Sequence, residues 1–131
     1  MFAAQQQRYW TRLGFGVAAS LATLGLTTFI APQTSANILG FTQLVEHASS
    51  DVPGVMGFIG ARDLSISLAI FLLGCRGKAP EMGTIILSCV VFCVVDIIIA
   101  WENARYVEAL GALPPVAFVG YVGLNLYKST A

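Results

Sequence analysis

The sequence predicts an all-α integral membrane protein. It is read as a single domain over residues 1–131, a four-helix bundle with a short interfacial helix between the first and second spans. Two observations lead there. The chain is 56% hydrophobic and only 11% charged, with a formal net charge of zero and a mean hydropathy of +0.77, which is too apolar for a soluble domain. Crossing a hydrocarbon core of about 30 Å takes a largely uncharged window of about 18–20 residues, and four such windows can be drawn over nearly the whole chain.

The first window, Leu13 to Ile30, is led by Arg8, Tyr9, Trp10 and Arg12 and closed by Pro32, which cannot continue a helix. Basic residues ahead of an apolar core also resemble a secretory signal. The apolar stretch is longer than a signal core, so a retained first helix is expected.

The loop from 31 to 54 is the only long connection. Within TSANILGFTQLVEHA, Ile38, Phe41, Leu44, Val45 and Ala48 recur at helical spacing after Thr34 or Ser35 as caps. That pattern predicts a short helix at the membrane interface, either a bridge between two spans or a lid over something beneath.

The second window, Val55 to Gly74, contains FIGARDLSISLAI, in which Arg62 and Asp63 sit side by side in an apolar run. Its small residues, Gly57 and Ala61 at four-residue spacing with Gly54 and Gly60 beside them, are expected to allow close helix approach. The third window, Met82 to Trp101, is nearly all Ile, Leu, Val and Cys apart from Asp96. The fourth, from about Leu113 to Tyr127, is the shortest, and Pro114 and Pro115 are expected in its first turn.

Lys and Arg collect on the cytoplasmic side of a membrane. Excluding Arg62, one set of helix ends holds Arg8, Arg12, Arg76, Lys78 and Lys128, and the other holds only Arg105. Both termini are therefore expected in the cytoplasm. Trp10 and Tyr127 then fall in the cytoplasmic aromatic belt, Trp101 and Tyr106 in the opposite one. The endoplasmic reticulum is one candidate compartment.

The same topology sets depth. At about 1.5 Å per residue, Arg62 and Asp63 lie roughly 10 to 12 Å inside the second span and Asp96 roughly 7 to 8 Å inside the third. All three charges fall in one layer, near Thr27 and Thr28, Ser65 and Ser67, and Glu102 and Asn103. A charge in the bilayer interior costs at least about 2.5 to 3.5 kcal/mol, so such residues face the bundle interior and find partners. Neighbouring helical positions lie about 100° apart, so Arg62 and Asp63 are not expected to aim at one spot; Asp96 completes the cluster from the facing helix.

One reading is a lock, Arg62 bridging two aspartates to fix helix register. The other is chemical. Two acids and one base leave an excess negative charge or an extra proton. Pairing with Arg62 keeps one carboxylate ionised, and the other retains the proton, which makes a general base and a general acid in one pocket. Such a site activates water, or a substrate hydroxyl, on one side of a strained ring while protonating the leaving oxygen on the other. Epoxide opening fits.

Gly60-Ala61-Arg62-Asp63-Leu64 early in the second of four short membrane helices, with Asp96 late in the third, resembles a family of small integral membrane proteins of fungi and bacteria, most of them labelled a domain of unknown function. It is also similar to the small membrane epoxide hydrolases of fungal polyketide pathways, of the aurovertin and citreoviridin type. That resemblance implies a hydrolase of secondary metabolism with Asp63, Asp96 and Arg62 as catalytic residues. The residue types also resemble the Asp-Arg-Asp site of limonene-epoxide hydrolase, a soluble enzyme of unrelated fold.

Other features carry less. His47, with Glu46 and Asp51, has irregular spacing for a metal site, and no metal or cofactor is expected. Cys89 and Cys93 share a face of the third helix, and three cysteines imply no disulfide framework. Asn125 reads as a polar contact between helices or with the interface. Phosphate loops, nucleophile elbows and basic nucleic-acid patches are missing from the sequence. Two function classes follow: an acid–base enzyme taking an apolar small-molecule substrate from the lipid bilayer, or a non-catalytic membrane protein, a small transporter or assembly partner whose cluster is a proton relay or helix lock. A transporter is expected to be a homo-oligomer, because four short helices barely enclose a path.

Overall fold

The computed structural model describes residues 2–39 and 50–129. The helices are α1 (Phe2–Ile30), α2 (Pro32–Leu39), α3 (Val52–Cys75), α4 (Ala79–Glu102) and α5 (Tyr106–Lys128), and there is no strand among the described residues. All except α2 are long and apolar enough to cross a membrane. The helices outrun the apolar windows. α1 begins at Phe2 rather than Leu13, and α5 at Tyr106 rather than Leu113, because a helix keeps its backbone bonds satisfied through the polar interface, where hydropathy has already fallen.

Two expectations are corrected, one about Pro114 and Pro115 and one about the caps of the short helix. Pro114 and Pro115 lie inside α5 instead of in its first turn. The carbonyls they leave without an N–H partner, those of Leu110 and Gly111, belong to exposed residues near the helix start. Pro32 opens α2, its pre-set φ suiting a first turn, so Thr34 and Ser35 are helical positions and not caps. Phe41, Leu44, Val45 and Ala48 lie outside the described residues.

Successive long helices run antiparallel. Arg76 N–H donates to Leu72 O, Gly77 N–H to Gly74 O and Lys78 N–H to Leu73 O, closing α3 with Gly77 at φ 70°, a conformation that glycine adopts without steric cost. Ala104 takes the corresponding position after α4 at φ 58°, with Arg105 N–H donating to Ala100 O. A side chain there costs about 1 kcal/mol.

Packing divides the bundle into two pairs, α1 with α3 and α4 with α5. Glycines set both close approaches. A Cβ on Gly60 would collide with Thr28 Oγ1 and lie 2.8 Å from Gly25 O, and one on Gly83 would collide with Tyr127 N and lie 2.7 Å from Gly123 O. The contact glycine of α3 is thus Gly60. The expected Gly57–Ala61 pair does not make it: Gly57 only meets Phe29, and Ala61 is exposed. Ser67 Oγ adds a 2.7 Å hydrogen bond to Ala18 O.

The pairs join over half their length. Val17, Leu21, Ile70, Met82, Ile86, Val122 and Leu126 form the core there, and Trp10 meets Tyr121 edge-on at 5.4 Å. This end carries Arg8, Arg12, Arg76, Lys78 and Lys128. Towards the other end the core stops, and α2 seats Ala36 against Val52 and Met56 of α3. Leu24, Phe58, Leu68, Val91 and Val107 are among the large apolar side chains left facing outwards.

Candidate functional site

Where the two helix pairs part, all five helices enclose a cavity of about 310 Å³. Its walls are mostly apolar, Leu21, Leu24, Ile59, Phe92, Ile97 and Val116 among them, and α2 contributes Ser35, Ile38 and Leu39. The polar groups converge on the α3–α4 side. Arg62, Asp63 and Asp96 line the cavity together, with Thr27 and Thr28 of α1.

The three charges form one chain. Arg62 Nε donates to Asp63 Oδ1 at 3.0 Å, and Arg62 Nη2 lies 3.8 Å from Asp96 Oδ2. The guanidinium rests on Phe92, 4.3 Å from its ring centroid, which holds the plane by cation–π attraction. Adjacent helical residues were expected to diverge, yet the long Arg62 side chain folds back until its guanidinium reaches the Asp63 carboxylate. One planar fork then serves two acids, a geometry that a Lys ammonium lacks.

The two carboxyl groups are not equivalent. The Asp63 side chain is 8% exposed and tightly paired, whereas that of Asp96 is 43% exposed and loosely paired. Asp63 is thus bound into the protein by its partner, and Asp96 is open to whatever occupies the cavity. The cluster holds one acid more than it has bases.

The remaining polar residues divide. Thr28 is buried, donating to Gly25 O at 2.7 Å, and Ser35 Oγ donates to Thr27 O at 3.1 Å, tying α2 down over the cavity. Ser65 and Ser67 are turned elsewhere, Ser65 to Ala61 O and Ser67 to α1. Glu102 is exposed, and Asn103 closes α4 with Nδ2 donating to Ile99 O. Asn125 donates to Tyr121 O within its own helix, which corrects its reading as a contact between helices. Cys75, Cys89 and Cys93 are free thiols. His47 and Glu46 lie outside the described residues.

Sequence reasoning did not place Ser35, Phe92, Cys93 or Glu108 at the site. Phe92 stands one turn before Asp96 on the same helix face, a spacing that marks it as a neighbour of whatever pairs with Asp96. Glu108 is held by Arg105, whose Nη2 and Nε donate to Glu108 Oε1 at 2.9 and 3.3 Å. Arg105 Nη1 also donates to Asn37 O of α2, so the turn between α4 and α5 fastens the helix above the cavity.

No curated protein and no solved structure matches the chain, so no relative supports the likeness to epoxide hydrolases. One family model does match, over residues 18–125, and it covers every residue that lines the cavity. The chain belongs to that family, described as a domain of unknown function, DUF4267.

Proposed function

We propose that the protein is a multi-pass membrane enzyme, both termini cytoplasmic, that opens epoxides of apolar, polyketide-like substrates by acid–base catalysis. The observation that carries this reading is the placement of the Arg62–Asp63–Asp96 chain on the wall of an apolar cavity, with the more open carboxyl group facing the space. A lock needs the ion pairs alone and has no use for the cavity.

The chemistry follows from the two environments. Asp63, paired with Arg62 at 3.0 Å, takes a proton from water as the water oxygen bonds to an epoxide carbon. The bond from that same carbon to the epoxide oxygen breaks, and the oxygen receives the proton of Asp96. Epoxide and water become a vicinal diol, and the proton on Asp63 passes back to Asp96 for the next turnover. With a substrate hydroxyl in place of water the same steps give a cyclic ether. General acid and base groups each contribute about 10²–10⁴-fold.

The test is incubation of the purified protein in lipid discs with apolar epoxides in ¹⁸O-labelled water, comparing the parent with Asp96→Asn. Labelled diol, or unlabelled cyclic ether, from the parent alone is the expected result. A second reading is favoured by the 3.8 Å contact between Arg62 and Asp96, which links the two helix pairs: a lock or proton relay in a non-catalytic protein or small transporter. Absence of turnover, with Asp96→Asn losing thermal stability and the detergent-solubilised mass that of an oligomer, is the outcome of that reading.

A further inference from the structure

The cavity wall is uneven in exposure. Its lining residues on α3 and α4 are buried or half-buried, whereas the exposed ones are Leu24 and Thr27 of α1, Ile38 of α2 and Glu108 of α5. The mouth therefore lies between α1 and α5, beneath α2. Leu24 stands six residues before the end of α1, about 9 Å into the membrane, so the mouth opens sideways into lipid. Its rim is apolar on the deep side, where Leu24 is 55% exposed, and charged at the interface, where Glu108 pairs with Arg105.

Size and charge narrow the occupant. A cavity of about 310 Å³ is at the low end of ligand pockets, which run from about 300 to 1,000 Å³. It holds the end of a chain and not a long chain entire. Two carboxyl groups against one guanidinium disfavour an anionic head group, and a guanidinium has five N–H donors, of which Nε and Nη2 face the aspartates. The remaining donors suit a neutral acceptor oxygen.

We infer that the cavity takes a neutral long-chain amphiphile sideways from the bilayer, its oxygenated end reaching Arg62 and Asp96 while the rest of the chain trails between α1 and α5 into lipid. This rests on the proposed enzymatic reading for the nature of the oxygenated end; the mouth itself rests on exposure alone. Arg105, by fastening Asn37 to Glu108, holds the upper edge of the mouth in place.

Photolabelling with mass-spectrometric mapping tests it. Two long-chain terminal epoxides are used with the parent protein in lipid discs, one carrying a diazirine beside the epoxide and one a diazirine at mid-chain. The first is expected on the α4 peptide containing Cys93 and the second on peptides containing Leu24 and Val116, both labels being lost on adding excess non-photoreactive epoxide. Leu24→Trp, which narrows the mouth, should lose the mid-chain label.

Labelling that excess epoxide leaves unchanged, spread over outward residues such as Phe58 and Val91, overturns the inference. So does mid-chain label that maps to the α3–α4 side. Mapping is independent of turnover: competed label at the mouth in a protein that opens no epoxide leaves the mouth standing and removes the enzyme, and turnover with uncompeted label does the reverse.

Discussion

Arg62 and Asp96 meet across the gap between the two helix pairs, Nη2 to Oδ2 at 3.8 Å, while the same guanidinium holds Asp63 at 3.0 Å on its own helix. A single residue therefore couples a tight, buried acid to a loose, half-open one. The consequences of that asymmetry can be measured.

Asp63→Asn and Asp96→Asn should each lower epoxide turnover by about 10²–10⁴-fold, read as diol or ether formed by protein that remains membrane-inserted. Their stabilities should differ. Removing the Asp63 charge leaves Arg62 without its 3.0 Å partner, whereas removing that of Asp96 loses only a 3.8 Å contact, so Asp63→Asn should lower the thermal midpoint more. Full activity in either variant removes that residue from the mechanism.

Arg62→Lys retains the charge but replaces a planar fork by a point donor. It cannot span Asp63 and Asp96 while lying flat on Phe92. Turnover should fall much further than the amount of folded protein, measured by size-exclusion of the solubilised membrane fraction. Equal losses in both would assign the cluster to a lock.

Gly83→Ala should destabilise the α4–α5 pair by about 1–3 kcal/mol, because the added Cβ meets the backbone of Gly123 and Tyr127, which cannot swing aside. Ala104→Gly should do the opposite, gaining about 1 kcal/mol by relieving the positive φ. Thermal unfolding of both in one detergent checks the pair, and opposite shifts in midpoint are expected.

Cys75 is exposed at the end of α3 beside Arg76, at the helix ends that carry most of the basic residues. In the proposed orientation, with both termini in the cytoplasm, a membrane-impermeant maleimide should label it only after the cells are permeabilised. Labelling of intact cells would invert the topology.

The sequence by itself determined the four spans, the grouping of five cations at one set of helix ends, and the common depth of Arg62, Asp63 and Asp96. Each depends on length, composition and the constant rise of a helix, quantities local to the chain. Helix ends were less legible, as Phe2 and Tyr106 show, since backbone bonding persists where hydropathy fades.

Only the tertiary structure decided which glycine faces which backbone, where α1–α3 parts from α4–α5, and how one guanidinium reaches two carboxyl groups. Gly57 and Gly60 have the same chemistry and differ only in the direction they face once α1 is docked. Glu108 and Ser35 come to line the cavity only because α2 and α5 fold over the gap. The cavity exists because glycine contacts draw the helices together in pairs while the shared core ends half-way. That balance belongs to packing between segments distant in sequence, and no local pattern encodes it.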